Sequence, residues 1–232
     1  DSSSIYEVPM VLHKEKFDTI VLQRLHLPEK KIKLDEWETF VQRVKSPERK
    51  VEIAICGKYV EHMDAYKSIM ESFVHAGAEN NAKVAVRFVS AEKLEVESPE
   101  SLLKGVSGIL VPGGFGERGI EGKINAIRYA RENKVPFFGI CLGLQCAVIE
   151  FARHVCGMSK ANSAEFKKNK FNVIDLMPDQ KNIQNIGPTL RLGAYRCHVL
   201  HLNLALTAYK THFISERHRP RFELNHKFRG IP

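Results

Sequence analysis

The run Val135-Pro136-Phe137-Phe138-Gly139-Ile140-Cys141-Leu142-Gly143-Leu144-Gln145 constrains this chain more than any other stretch. Apolar and aromatic residues lead into Gly-x-Cys-x-Gly, and an apolar helical pattern starts directly after it. That pattern predicts a strand, a tight turn and a helix, with a thiol at the apex. Glycines at 139 and 143 suit a turn so sharp that backbone and helix approach too closely for a β-carbon. The thiol then falls at a helix N-terminus, where unpaired N–H groups and the dipole favour an anion. Cys141 is therefore expected to ionise below the usual pKa of about 8.5 and to act as a nucleophile. The plainer reading, a buried structural cysteine behind a core strand, is outweighed by the pair of glycines.

Strands and helices alternate on both sides of this turn. Val51–Gly57, Lys83–Val89, Ser107–Val111 and Val135–Ile140 read as four strands. Between them, Asp64 is expected to cap a helix with Ile69, Met70, Phe73 and Val74 on one face, and Ile120, Ile124, Ile127 and Ala130 mark another. Such alternation predicts an α/β domain with a parallel sheet covered on both faces, whose ligands sit at the C-terminal strand ends. Residues 1–48 read as an appendage. It begins with an extended Ser4–Pro9, continues with a helix over Phe17–Leu25, and ends with a helix capped by Asp35 that presents Trp37, Phe40, Val41 and Val44. Beyond about Ala161 the chain reads as extended segments: Asn172–Leu176, Thr189–Val199 and Phe213–Leu224.

Val111-Pro112-Gly113-Gly114-Phe115-Gly116-Glu117-Arg118-Gly119 follows the third strand. It has neither the Walker lysine–serine pair nor a Gly-x-Gly-x-x-Gly fingerprint. At the same sheet edge as Cys141, it can instead offer a backbone N–H to a tetrahedral oxyanion, with Gly114 and Leu142 as the two donors. Five cysteines (56, 141, 146, 156, 197) without a Cys-x-x-Cys pair argue against a disulfide framework and a zinc site, and for a reducing cytosol. His198 and His201 lack a third ligand for a metal. Net charge is +8 with a pI near 9.2, but the basic residues are dispersed and carry no nucleic-acid signature. No apolar run is long enough to span a bilayer, and the N-terminus is not a signal peptide. The absent initiator methionine points to a piece of a longer chain.

Further motifs extend over nearly the whole sequence: Ser4-Ile5-Tyr6-Glu7-Val8-Pro9, Gly57-Lys58-Tyr59-Val60, Asp64-Ala65-Tyr66-Lys67-Ser68, Asn162-Ser163-Ala164-Glu165-Phe166, Leu190-Arg191-Leu192-Gly193 and Glu216-Arg217-His218-Arg219. With the glycine loop and the cysteine turn, they resemble the class I, triad-type glutamine amidotransferase domain of the CTP synthase family. The resemblance implies a flavodoxin-like, three-layer α/β/α domain with a mostly parallel sheet over residues 49–232, after the end of a synthetase domain and linker at 1–48. It implies that Cys141 attacks the carboxamide of L-glutamine, forms a γ-glutamyl thioester and releases ammonia. Gly114, Leu142, Gly143, Leu144 and Gln145 would line the glutamine pocket. Glu165 would meet the α-ammonium and Arg221 the α-carboxylate, a pairing that also suits the head group of any free amino acid. No metal is implied in this chain. ATP and Mg²⁺, with UTP, belong to the synthetase domain, which uses the ammonia to make CTP. A cytoplasmic homo-oligomer, tetrameric by the resemblance, follows, with neither membrane nor nucleic acid as partner.

Two features depart from the family pattern. His218-Arg219-Pro220-Arg221 stands in place of His-Arg-His-Arg, so Pro220 is expected to stiffen the backbone and re-aim Arg221. The family completes its triad with a downstream His-x-Glu pair, which this sequence does not reach by Pro232. The sole His-x-Glu, His13-Lys14-Glu15, lies in the appendage, and His198, His201 and His212 are not placed near the thiol by spacing. Little activity is therefore expected of the chain alone. The rival reading is a catalytically incomplete domain serving as scaffold or regulatory partner. A different cysteine hydrolase on a similar sheet fits the Glu165 and Arg221 pair less well.

Overall fold

The structure, a computed structural model, describes residues 2–28, 32–177, 193–200, 204–218 and 221–228. Expectations for Leu190-Arg191-Leu192, His201, Arg219 and Pro220 lie outside the described residues. The chain divides into two compact units, Asp1–Ala54 with Tyr59–Phe88 and Gly105–Gly108, and Ile55–Lys58 with Val89–Lys104 and Ile109–Pro232.

In the first unit, Ser4–Pro9 is helical and not extended. A 3-10 turn, Ile5–Glu7, runs into α1 (Val8–Lys14). The reason is a capping box: the Ser4 hydroxyl accepts from the Tyr6 N–H, and the Glu7 carboxylate accepts from the N–H groups of Ser3 and Ser4. Pro9 sits in the first turn of α1, where its missing N–H costs nothing. α2 (Phe17–Arg24) and α3 (Asp35–Lys45) follow. Trp37 and Phe40 of α3 pack on the Tyr6 ring, with centroids 6.1 and 5.2 Å away, and Trp37 Nε1 donates to the Tyr6 carbonyl at 2.9 Å. The Tyr6 hydroxyl meets Glu71 and His75 of α4 (Lys67–Glu79). Asp64 does not cap α4. It lies in a 3-10 turn, Met63–Tyr66, and Tyr66 takes the cap position, its hydroxyl accepting from the Tyr59 N–H at 3.1 Å.

β1 (Arg49–Gly57), β2 (Ala82–Ser90), β3 (Gly108–Val111) and β4 (Phe137–Gly139) form a parallel sheet in the order β2-β1-β3-β4. That is the flavodoxin-like order, in which the direction of strand addition reverses after β1. Leu110 pairs with Phe138 and Val111 with Gly139, which sets the ends of β3 and β4 side by side.

The second unit adds α5 (Lys93–Val96), α6 (Pro99–Leu103), α7 (Ile120–Glu132) and α8 (Leu142–His154). α7 and α8 pack together, and Ile124, Leu142 and Ile149 are fully buried with Ile109 and Val111. Arg131 of α7 makes a forked contact with the buried Glu150 carboxylate of α8, at 2.8 to 3.2 Å. A smaller sheet, β5 (Asn162–Ser163), β6 (Asn172–Leu176) and β9 (Phe222–Leu224), has the order β5-β6-β9 with β9 antiparallel to β6. β7 (Gly193–His198) and β8 (Phe213–His218) form an antiparallel pair, and between them lies α9 (Leu204–Tyr209), a helix the extended reading did not anticipate. No helix of the described residues is long and apolar enough to cross a membrane.

Candidate active site

Cys141 stands at φ 52° and ψ −106°, a backbone conformation that costs energy for any residue with a β-carbon. Its neighbours hold it there. Ile140 N–H donates to the Val111 carbonyl at the end of β3, Gly143 N–H to the Ile140 carbonyl, and Gln145 N–H to the Cys141 carbonyl, at 2.9 to 3.1 Å. The two flanking glycines are sterically required. A β-carbon on Gly143 would lie 2.0 Å from the Val111 carbonyl oxygen, and one on Gly139 would lie 2.6 Å from the Gly143 backbone. β4 and α8 thus meet backbone to backbone, and the thiol projects from the turn between them.

The glycine loop after β3 faces this turn. A β-carbon built on Gly113 would sit 3.5 Å from Cys141 Cβ, and one on Gly114 would sit 3.5 Å from Leu142 Cδ2. The two backbone donors expected from the sequence, Gly114 and Leu142, are therefore neighbours. The Leu142 N–H also reaches the Cys141 sulfur. Lys58, just beyond β1, grips the loop from outside, its Nζ donating to the carbonyls of Phe115 at 2.6 Å and Gly116 at 3.0 Å. Glu165, in the turn after β5, accepts from the Gly116 N–H at 3.2 Å and donates its own N–H to the Ser163 hydroxyl.

The protonation of Cys141 differs from the sequence expectation. Burial pushes its thiol up, and the Glu165 carboxylate adds to that, while the Leu142 N–H and the Lys123 ammonium pull it down. The helix N-terminus alone does not decide the thiol, because a half-buried sulfur loses the water that would solvate its charge. Cys56 and Cys146 are more strongly affected, both pushed up to about 12 by burial. None of the five cysteines is in a disulfide.

Gln145 is buried. Its Nε2 donates to the Phe222 carbonyl at 2.9 Å, and its Oε1 is buried without a partner among the described residues. That bond ties α8 to the segment carrying Arg221, whose carbonyl accepts from the Met177 N–H. Leu142 is buried, whereas Leu144 is 59% exposed. The structure brings Cys141, the Gly113–Gly116 loop, Leu142 and Glu165 into one contact set, and joins Gln145 to the Arg221 segment. Those histidines named from the sequence that lie among the described residues make other contacts: His13 pairs with Asp18 at 2.6 Å, His198 stacks on Phe213, and the His198 and His212 rings meet edge to face. None of them acts on Cys141, whose charged neighbours are Glu165 and Lys123.

Two residues of this neighbourhood were not singled out from the sequence. Lys58 carries no local signal of a contact 57 residues away. Lys123 does carry one: position 123 falls on the stripe of Ile120, Ile124 and Ile127, where a charge is out of place.

Residues 61–229 match the family described as Glutamine amidotransferase class-I. A CTP synthase from Caldanaerobacter subterraneus subsp. tengcongensis is 52% identical over 232 residues, which is 100% of this chain and 43% of the relative. A CTP synthase from Methanocaldococcus jannaschii is also 52% identical, over 238 residues, 100% of this chain and 44% of the relative. The chain thus spans somewhat under half the length of the curated relatives it matches. Among solved structures, the Trypanosoma brucei CTPS glutaminase domain with bound acivicin has a TM-score of 0.71 and 37% identity, covering 78% of this chain and 70% of that one. A cysteine turn framed by two obligatory glycines, facing a glycine loop on a flavodoxin-like sheet, agrees with these likenesses: the chain belongs to the class-I glutamine amidotransferase family, in its CTP synthase branch.

Proposed function

We propose that this chain hydrolyses L-glutamine as the glutaminase part of a CTP synthase. The observation that carries the reading is Cys141, strained at the strand–helix turn with the Leu142 N–H on its sulfur and the Gly113–Gly114 loop against it. The sulfur attacks the side-chain carboxamide carbon of glutamine, a C–S bond forms, and the carbonyl oxygen takes the electron pair. The N–H groups of Leu142 and Gly114 are the donors available to that oxyanion. Collapse breaks the C–N bond as the leaving nitrogen takes up the proton lost by the thiol, so that ammonia departs and leaves a γ-glutamyl thioester that water cleaves to glutamate and the free thiol. Glu165 and Arg221 supply the two opposite charges an amino-acid head group needs. The resemblance assigns proton transfer to a His-x-Glu pair. No histidine among the described residues acts on Cys141, so the reading gives that task to none of them.

The remainder of the reading rests on the resemblance. Residues 1–48 are the end of a synthetase domain and linker, and 49–232 the glutaminase domain of one polypeptide. The ammonia aminates UTP to CTP at the cost of ATP, in a cytoplasmic, tetrameric assembly. ATP and Mg²⁺ do not fit the glycine loop here. Its Gly116 N–H is held by the Glu165 carboxylate and its carbonyls by Lys58, which is the reverse of a phosphate cradle. Among the described residues no three His, Cys, Asp or Glu side chains are grouped to hold a metal.

Protection of the thiol tests the reading. Glutamine and acivicin are each expected to slow iodoacetamide alkylation of Cys141, followed by peptide mass mapping, without slowing that of Cys197. Arg221→Ala should weaken protection by glutamine by about 1.5–3 kcal/mol, the scale of a charged hydrogen bond. If neither ligand protects Cys141, it is not the glutamine thiol.

A further inference from the structure

Lys123 is 1% exposed, one of the largest fully buried side chains of the molecule. No carboxylate is paired with it among the described residues. Its Nζ lies 3.7 Å from the position a β-carbon on Gly114 would occupy, and a β-carbon on the preceding Gly113 would lie 3.5 Å from Cys141 Cβ. It shares a face of α7 with Ile120, Ile124 and Ile127, where leucine or methionine would fill the space without burying a charge. An unpaired buried ammonium is destabilising unless something nearby becomes negative. The groups that face it are Cys141 just before α8, Cys146 within α8, Cys56 from the end of β1, and Lys58 beyond that strand. Other charges around α7 are engaged elsewhere: Glu100 with Tyr129, Glu150 with Arg131, and Glu121 with Arg153. α5 meets α7 at the Leu94 carbonyl, which accepts from Asn125. Of the three thiols around Lys123, Cys56 and Cys146 are fully buried and only Cys141 is open enough to react.

We propose that Lys123 is a positioning residue of the glutaminase site: its buried ammonium, held behind the Gly113–Gly114 loop, favours the Cys141 thiolate and the oxyanion formed from it. The proposal rests on the glutaminase reading for its purpose, but the effect on the thiol does not need substrate. Burial pulls the Lys123 amine down, and the neighbouring thiols push it back up, so the lysine and Cys141 stabilise each other's charged forms. In this arrangement Lys123 partly offsets the burial and the Glu165 charge that raise the Cys141 thiol.

The test follows the rate of Cys141 alkylation by iodoacetamide from pH 6 to 10 in the intact chain, read by peptide mass mapping. Lys123→Met should slow alkylation at pH 7 by roughly 3- to 30-fold and move the profile to higher pH, with equal rates once Cys141 is fully ionised. Lys123→Arg should restore most of the neutral-pH rate. If Lys123→Met does not fold, Lys123→Gln reads the same loss of charge with a polar head retained. A second readout needs no substitution: the ¹³Cε resonance of Lys123 should titrate at lower pH after Cys141 is converted to its neutral carboxamidomethyl thioether. An unchanged alkylation profile in a folded Met or Gln variant, or a Lys123 titration indifferent to the thioether, overturns the proposal. Failure of glutamine to protect Cys141 would instead remove the glutaminase reading and leave the lysine–thiol coupling in place.

Discussion

Replacing Gly143 by alanine offers a stringent test of how the thiol is held. An added β-carbon would lie 2.0 Å from the Val111 carbonyl oxygen, 2.9 Å from its carbon and 3.1 Å from Val111 Cβ, where ordinary contact begins near 3.4 Å. The obstacle is the backbone of a fully buried strand, so no side-chain rotation relieves it. α8 must retreat from β3 by about 1.4 Å, or β3 must bend, and overpacking of this kind costs about 1–3 kcal/mol or more. With a backbone clash this close the cost lies at the upper end of that range, and alanine recovers about 1 kcal/mol of helix propensity, so a net loss of about 2 kcal/mol is expected. In urea that lowers the unfolding midpoint by roughly 1–2 M. The same retreat carries Leu142 away from Gly114, and a misplacement of about 1 Å in a reacting group can cost on the order of 100-fold in rate. Gly113→Ala is the control. Its β-carbon meets Cys141 Cβ at 3.5 Å, an ordinary contact, so the stability should stay within about 0.5 kcal/mol of the parent while alkylation of the crowded thiol slows. Equilibrium urea unfolding and the Cys141 alkylation rate, measured on both variants, separate the two effects. A Gly143→Ala chain with the parent's midpoint would show that β3 and α8 do not touch as described.

Other consequences are open to direct measurement. Cys56 and Cys146, buried and pushed up to about 12, should resist a disulfide-exchange reagent at pH 8 until denaturant is added; either one reacting as fast as Cys197 would contradict their burial. Tyr6 is raised to about 12, chiefly by its hydrogen bond to Glu71. The group is raised above its unfolded value near 10, so its contribution is complete below pH 10 and disappears as pH climbs through 12. Ultraviolet titration should show a late phenol that Tyr6→Phe removes, and a titration unchanged by that substitution would break the Tyr6–Glu71 contact. Arg131→Ala strips the buried Glu150 carboxylate of its main partner and should destabilise the chain by about 3 kcal/mol, whereas a loss under about 1 kcal/mol would mean that His154, 3.2 Å from Glu150, suffices.

What could be read from the sequence divides along the reach of each interaction. The thiol turn was legible because Gly139, Cys141 and Gly143 solve a problem within five residues, the approach of β4 to α8. The alternating strands of the first 140 residues were legible for the same reason, each being a short apolar run bounded by turn residues. Ser4–Pro9 was misread, although Ser4-x-x-Glu7 is a capping box, because its proline and aromatic residue suggest extension. Asp64 looked like a cap, but the Tyr66 hydroxyl holds the turn and the helix starts later. The ionisation of Cys141 was misjudged for a different reason. The helix N-terminus is local, but the burial that opposes it comes from a loop and a helix distant in sequence. Glu165 and Arg221 were nominated by likeness to a family. Their surroundings, Gly116 for one and the Gln145–Phe222 bond beside the other, are tertiary and leave no local trace.

The hydrogen bond from Gln145 to Phe222 spans 77 residues. On a ribosome adding about 5–20 residues per second, the thiol turn emerges roughly 4–15 s before the strand that anchors Arg221. For that interval a nascent chain holds its most accessible core thiol without the arm that will later lie against α8. A thiol that is neutral while half-buried is a poor target for oxidants, since oxidation proceeds through the thiolate. Where Cys141 is buried as in the folded chain, the upward push on its thiol therefore slows its oxidation.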